Sequence, residues 1–305
     1  MNVDFKKKLK LAKQNYVLYL LILPAFTYIV CFQYLPIYGA QIAFRNYRIQ
    51  DGIIGSPWVG LQWFKTFFTS PRNRTIIWNT VIISIYNLLA GFPIPIIFAL
   101  LLNQVKSLRY KKLVQTVTYM PHFISMVVII GMISVFFSPT TGFINKLIGM
   151  FTGQNVYYLG MPKYYYHLFV WSGVWQSFGW GSIIYMASLS SVDTELYEAA
   201  MIDGANRLQQ VIYIDIPHLK PTMIILLILA TGNIMNVGFE KSWLMQNDLN
   251  ISVSEVISTY TYRIGIMNSM FSYSAAIGLF NNVVNFIFLV MVNFLSKRVS
   301  DNSLW

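Results

Sequence analysis

Six runs of this chain, at 16–38, 77–102, 114–137, 167–189, 222–238 and 276–295, contain no Lys, Arg, Asp or Glu. A helix needs about 20 apolar residues to cross the hydrocarbon of a bilayer. Only helices and closed barrels can cross it, because backbone groups meet no water there. The runs predict an all-α polytopic membrane protein with six transmembrane helices. Composition agrees, with 56% hydrophobic and 11% charged residues. An average soluble domain carries about 25% charged residues.

Charge at the ends of the runs predicts orientation. The first run follows FKKKLKLAK (5–13), whose five lysines are expected to stay in the cytoplasm. No small-residue cleavage site follows, so this run reads as an uncleaved anchor. Lys106, Arg109, Lys111 and Lys112 follow the second run, and Lys297 and Arg298 follow the sixth. Both termini are then cytoplasmic. Segments 39–76, 138–166 and 239–275 become external, and FINKLIGMF in the second of them suits an interfacial helix. Arg45, Arg48, Lys65, Arg72 and Arg74 run against the rule, but in a long loop, where it weighs less. The chain divides into an anchor and external segment (1–75), a core (76–297) and a tail (298–305). Within the second run GFPIP places two prolines close together and predicts a kink or an unwound turn.

The net charge of +11 accordingly reads as a topology signal and not as the footprint of a nucleic-acid partner. Cys31 is the only cysteine, and His122, His167 and His218 are far apart, so no metal site is expected. The runs lack the ionisable residues of a proton relay or voltage sensor, which argues against an ion-coupled pump. A membrane-embedded enzyme would need a catalytic cluster, and His218 beside Asp215 is a weak one.

One connection is unlike the others. In ELYEAAMIDGANRLQQVIYIDIP (195–217) and the residues just before it, Asp193, Glu195, Glu198 and Asp203 lie together in a chain otherwise poor in acids. Asp193 can cap a helix, and Glu195 in its first turn suits the helix dipole. Gly204 can stop that helix in a left-handed conformation. A second short helix should follow, with Leu208, Val211 and Ile212 on one face, ended by Pro217 and Pro221. A plain link between spans needs only a few residues. An acidic surface also fits poorly on a negative leaflet. The stretch therefore reads as a protein docking site.

Glu198-Ala199-Ala200, three residues, Gly204, nine residues, Ile214, one residue, Ile216-Pro217 resembles the EAA motif of bacterial ABC importer permeases, with Ile216 where Leu is usual. The segments 23–47, 119–145, 231–247 and 259–297 are similar to the carbohydrate-uptake permeases called LplB-like, so the resemblance covers nearly the whole chain. It implies the type I ABC importer transmembrane domain, in the cytoplasmic membrane of a bacterium. It also implies that 193–217 is the coupling loop to an ATPase, with Glu195, Glu198, Ala199, Ala200, Asp203, Gly204, Ile214 and Pro217 as its contact residues. The implied partners are a second homologous permease, two ATP-binding subunits that hold ATP and Mg, and an extracytoplasmic solute-binding protein or lipoprotein. The implied substrates are oligosaccharides such as alginate- and aldouronate-type glycans. The chain has no phosphate-binding G-x-x-x-x-G-K-[ST] loop. It is expected to be no enzyme and to hold no cofactor of its own.

Sugars need aromatic faces and hydrogen-bonding amides. Trp171, Trp175 and Gln176 in the fourth run are candidates for the pathway. So are Asn233, Asn236, Glu240 and Trp243 in and after the fifth, and Asn281 and Asn285 in the sixth. Interfacial belts and helix–helix amide bonds are the structural alternatives. A stand-alone secondary transporter or channel is the other functional class. Inverted repeats or buried ionisable residues would favour it, and the sequence shows neither.

Overall fold

The computed structural model describes residues 7, 10 and 13–299, the side chain of Val299 excepted. Most of the basic stretch 5–13 and most of the tail 298–305 lie outside the described residues. The described residues contain no strand beyond two isolated bridges, Arg45–Trp58 and Arg48–Gly52. The helices are α1 (Tyr16–Phe44), α2 (Gln62–Thr69), α3 (Pro71–Gly91), α4 (Pro93–Asn103), α5 (Leu108–Phe123), α6 (Met126–Phe136) and α7 (Phe143–Thr152). They continue with α8 (Pro162–Leu189), α9 (Thr194–Ile202), α10 (Arg207–Thr231), α11 (Phe239–Met245), α12 (Ile251–Ser254), α13 (Ile257–Tyr262) and α14 (Phe271–Val299).

Among the described residues, α1, α3 with α4, α10 and α14 are long and apolar enough to cross a membrane, and α5 with α6 makes a bent fifth candidate. The remaining run, the fourth at 167–189, lies in α8. That helix has 28 residues, but its serines, glycines and tyrosines make it less apolar than the others.

Three expectations change. The third run is not straight: it bends by 99° between α5 and α6. Pro121 sits in the last turn, Ile124 is extended, and the Ser125 side chain accepts from Val128 N to start a new helix. The fifth run was expected at 222–238, but its helix ends at Thr231 and starts as far back as Arg207. Pro217 and Pro221 do not end a surface helix. Both lie inside α10, Pro217 directly after a π turn at Val211–Asp215 and Pro221 about one turn further on. The widened turn gives room where a proline ring and its missing N–H would otherwise break the ladder. At GFPIP the helix is interrupted at Phe92 between α3 and α4, which still run on as one span, Pro71–Asn103, and FINKLIGMF forms most of α7.

α8 is the centre. One end of it buries Tyr165, Phe169, Val170 and Val174 against Ile83, Ile129 and Ile133. The other end buries Tyr185, Met186 and Leu189 against Ala99, Leu100, Leu102 and Leu219. Between them α8 meets α5 backbone to backbone: a Cβ on Gly179 would lie 2.2 Å from the Thr118 carbonyl oxygen. A third cluster joins α2, α3, α13 and α14 through Phe67, Ile76, Ile257, Tyr273 and Ile277. There the buried Glu255 binds Arg72 at 2.9 Å and Arg263 at 2.6 Å, tying α3 to the segment before α14. α1 stands apart. None of its most apolar window is buried, and only its last turns pack on α14.

The α5–α8 crossing yields a prediction. Gly179→Ala forces backbone apart and should destabilise the protein by ~1–3 kcal/mol, as overpacking does. Gly278→Ala, with nothing within 4 Å of the added methyl, should not. Thermal unfolding of the two variants in detergent measures the difference, and equal midpoints would refute the close approach.

Candidate functional site

The connection at 193–217 is locally determined at each step. The Asp193 carboxylate accepts from Glu195 N at 3.0 Å and caps α9. α9 stops at Gly204, whose φ of +79° is left-handed, while Ala205 N returns to the Ala200 carbonyl at 2.8 Å. Asn206 and Gln209 then exchange side-chain and backbone bonds of 2.9 and 2.7 Å, a capping box that starts α10. Of the residues expected here, Glu195, Glu198, Ala199, Asp203, Gly204 and Pro217 are exposed, and Ala200 and Ile214 are half-buried. Met201 and Ile202 add exposed apolar surface. The loop presents acids and apolar side chains together on a braced helix.

α9 is held to the bundle through Tyr197, half-buried on a helix whose other turns face outward. Its hydroxyl donates to Asp215, which is fully buried in the π turn of α10. Asp215 also accepts from Asn103 Nδ2 at 3.4 Å and Gln104 Nε2 at 3.1 Å, at the end of α4. Burial first, and then the bond to Asp215 and its charge, push the Tyr197 hydroxyl up to about 12. No cation pairs with Asp215 among the described residues, so neutral donors alone offset the cost of burying it. His218 is turned away, contacting the Ser188 carbonyl and Ser191 Oγ at 3.1 Å each. The Asp215–His218 pair considered from sequence does not form. Tyr197, Asn103 and Gln104 were not singled out by sequence. An aspartate inside VIYIDIP was the available signal, since buried acids in apolar segments are rarely idle.

At the far end of α10 the chain leaves the helix at Gly232 and re-enters one at Phe239. Asn285 Oδ1 accepts from Met235 N at 2.9 Å, and Asn281 Nδ2 donates to Asn236 Oδ1 at 2.9 Å. Both asparagines on α14, one acceptor and one donor, are buried. Asn281 lies ten residues into α14, about 15 Å from its start at 1.5 Å per residue. The break therefore sits deep within the bundle.

Beside it opens a recess of two neighbouring lobes, of about 280 and 360 Å³, which share the lining residues Asn87, Gly91 and Val237 and carry polar groups among apolar ones. Asn233 and Asn236 line one lobe; Gln176, Ser177 and Lys241 line the other. The remaining candidates are elsewhere. Trp171 and Trp175 line a separate apolar recess of about 520 Å³ with Ile129, Ile133 and Phe136, and Trp171 Nε1 donates to Tyr86 at 2.8 Å. Glu240 is exposed. Trp243 packs on Phe239 and Tyr262, beneath Arg263. Asn281 and Asn285 brace the break from behind. Asn87 and Lys241 were missed by sequence, one as an isolated amide in an apolar run, the other as a charge in a segment read as an external loop.

Comparison with known proteins places this architecture. Residues 91–301 match the family described as binding-protein-dependent transport system inner membrane component. Protein LplB of Bacillus subtilis (strain 168) is 41% identical over 293 residues, covering 96% of this chain and 92% of that protein. The polygalacturonan/rhamnogalacturonan transport system permease protein YteP of the same organism is 40% identical, covering 99% of this chain and 96% of that one. Among solved structures, a chain of a bacterial ABC transporter involved in the import of the acidic polysaccharide alginate superposes with a TM-score of 0.89 at 36% identity, over 96% of this chain and 99% of that one. A second structure of the alginate transporter, in complex with an alginate pentasaccharide-bound periplasmic protein, gives the same score over 97% of this chain. The match runs over more than half of the sequence and includes the α9 loop, the break and α14, and the chain belongs to the family of inner-membrane components of binding-protein-dependent transport systems.

Proposed function

We propose that this chain imports oligosaccharides as one of two homologous permeases in an ATP-driven complex. As a member of its family it is a permease of an ABC importer and not the ATPase. The observation that carries the finer reading is α9: an exposed, capped helix that bears Glu198-Ala199-Ala200 and Gly204 and is tied inward through Tyr197. In this reading α9 is the coupling helix. Its acids and exposed Met201 and Ile202 meet a cleft on an ATP-binding subunit, and the small Ala199, Ala200 and Gly204 allow close approach. The α9 end of the bundle, with both termini, faces the cytoplasm. The solute-binding protein delivers its sugar at the opposite end.

α10 supplies the mechanical link. Asp215 near its start takes up motion from Tyr197, and Asn233 stands just past its end. The sixteen residue steps of helix from Asp215 to Thr231 span about 24 Å. When two ATPase subunits close on ATP and Mg, the coupling helices of the two permeases approach each other. The shift passes through Asp215 to α4 and α10 and opens the recess toward the binding protein. Hydrolysis resets the pair. In the recess Asn87, Gln176, Asn233 and Asn236 offer amide donors and acceptors to sugar hydroxyls, which would otherwise be left unpaired. Relatives named for polygalacturonan, rhamnogalacturonan and alginate support a glycan as the substrate.

Three outcomes are expected. In a mild-detergent pull-down, Glu198→Arg with Gly204→Trp should lose the ATPase and keep the second permease; retention of the ATPase would refute the docking assignment. Tyr197→Phe removes a bond to a charged group worth ~1.5–3 kcal/mol. It should leave the ATPase bound while sugar-dependent ATP hydrolysis falls, and unchanged hydrolysis would show that α9 acts by another route. Asn233→Leu with Asn236→Leu should reduce uptake without disturbing assembly, and wild-type uptake would remove both from the pathway.

A further inference from the structure

Lys241 is not accounted for by any of these roles. It lies on α11 with 7% of its surface exposed. Its ammonium donates to the Phe169 carbonyl at 2.5 Å and rests over the Phe169 ring at 4.7 Å. An ammonium has three N–H donors, and the structure uses one. Among the described residues no carboxylate is paired with it. Glu255, the buried acid of this half of the bundle among the described residues, is already held by Arg72 and Arg263, and the neighbouring Glu240 is exposed. A buried cation without a counter-ion is costly in a membrane protein, and such residues mark ion or substrate pathways.

The surroundings keep this charge accessible from one side. Lys241 lines the 360 Å³ lobe of the recess with Gln176, Ser177 and Asn87. Gly173 faces it: a Cβ there would lie 2.9 Å from Nζ. The helix wall is thus bare where the ammonium points, and amides and a hydroxyl flank it. A carboxylate entering the lobe would meet an unpaired cation in a site of low dielectric. The flanking polar groups could take up neighbouring hydroxyls.

We propose that Lys241 is a specificity-determining residue that holds a sugar carboxylate, so that this permease passes acidic, uronate-containing oligosaccharides in preference to neutral ones. This rests on the reading of the recess as part of the sugar pathway. The carboxylate supplies the counter-charge that the protein omits, and the backbone carbonyl of Phe169 fixes the ammonium in place. The bond is made on entry and lost on exit, with no covalent change.

The test uses the whole transporter, with its partner permease, ATPases and binding protein, expressed in a strain lacking this chain. The probes are trigalacturonate and the same trisaccharide with its carboxyl groups reduced to hydroxymethyl. Wild type should take up the acidic probe, and Lys241→Met should lower that uptake at least about tenfold, equivalent to ~1.4 kcal/mol, while Lys241→Arg should restore much of it. Binding of the two probes to the wild-type permease–ATPase complex in detergent provides a readout free of any folding defect. There the acidic probe should bind more tightly and weaken with added salt, as an ion pair does. Equal binding of the two probes, or wild-type uptake of trigalacturonate by Lys241→Met, would overturn the proposal. So would a wild type that imports only neutral oligosaccharides, and the importer reading would survive that result. Loss of no glycan uptake on deleting the chain would instead sink the oligosaccharide reading itself.

Discussion

A backbone group that leaves its helix inside a bilayer must find another partner, because no water is there to replace the lost bond. The break after α10 meets that demand with side chains from α14. Asn285 takes the N–H of Met235, and Asn281 holds Asn236. With these bonds made, irregular chain can persist deep in the bundle and carry polar groups into it. Asn233, Asn236 and Lys241 all depend on this break for their positions. A continuous helix through 232–238 would turn successive residues about 100° apart, and would not fold α11 back against α6 and α8.

The same economy appears at the other end of α10. Asp215 is an acid with no cation beside it among the described residues, enclosed by a tyrosine from α9 and by an asparagine and a glutamine at the end of α4. A buried carboxylate held by neutral donors is rigid in one sense: losing any donor leaves charge without compensation. It therefore couples α9, α4 and α10 more firmly than the small apolar contact of α9 alone could. The π turn that holds Asp215 also makes room for Pro217, and the stretch from the loop to the break is one continuous helix, Arg207–Thr231, with Pro221 inside it.

Glu255 illustrates the opposite solution. It is as buried as a carboxylate can be while meeting two arginines, and it fastens the external-type segment to α3. Set beside it, Lys241 and Asp215, which have no ion-pair partner among the described residues, stand out: where this fold needs only a clasp, it pairs its charges.

Much was legible in the sequence. Charge-free runs of about 20 residues can only be helices in hydrocarbon, so the helical fold class followed from composition along the chain. The cap at Asp193, the stop at Gly204 and the interruption at GFPIP are local events set by side chains within a turn of each other, and they appear where the residues require them. Pro217 and Pro221 misled because proline was judged against an α-helical ladder, and the π turn ahead of them relaxes that rule. The run at 222–238 misled because hydrophobicity records what dissolves in lipid, not whether a helix is continuous. Which polar groups meet was beyond the sequence altogether. Tyr197 and Asp215 are 18 residues apart, and Lys241 and Phe169 are 72 apart. Only the packing of α8 against α5, α10 and α11 decides that one lysine faces a recess with no counter-ion among the described residues, because pairing of charges depends on distance in space and not on order along the chain.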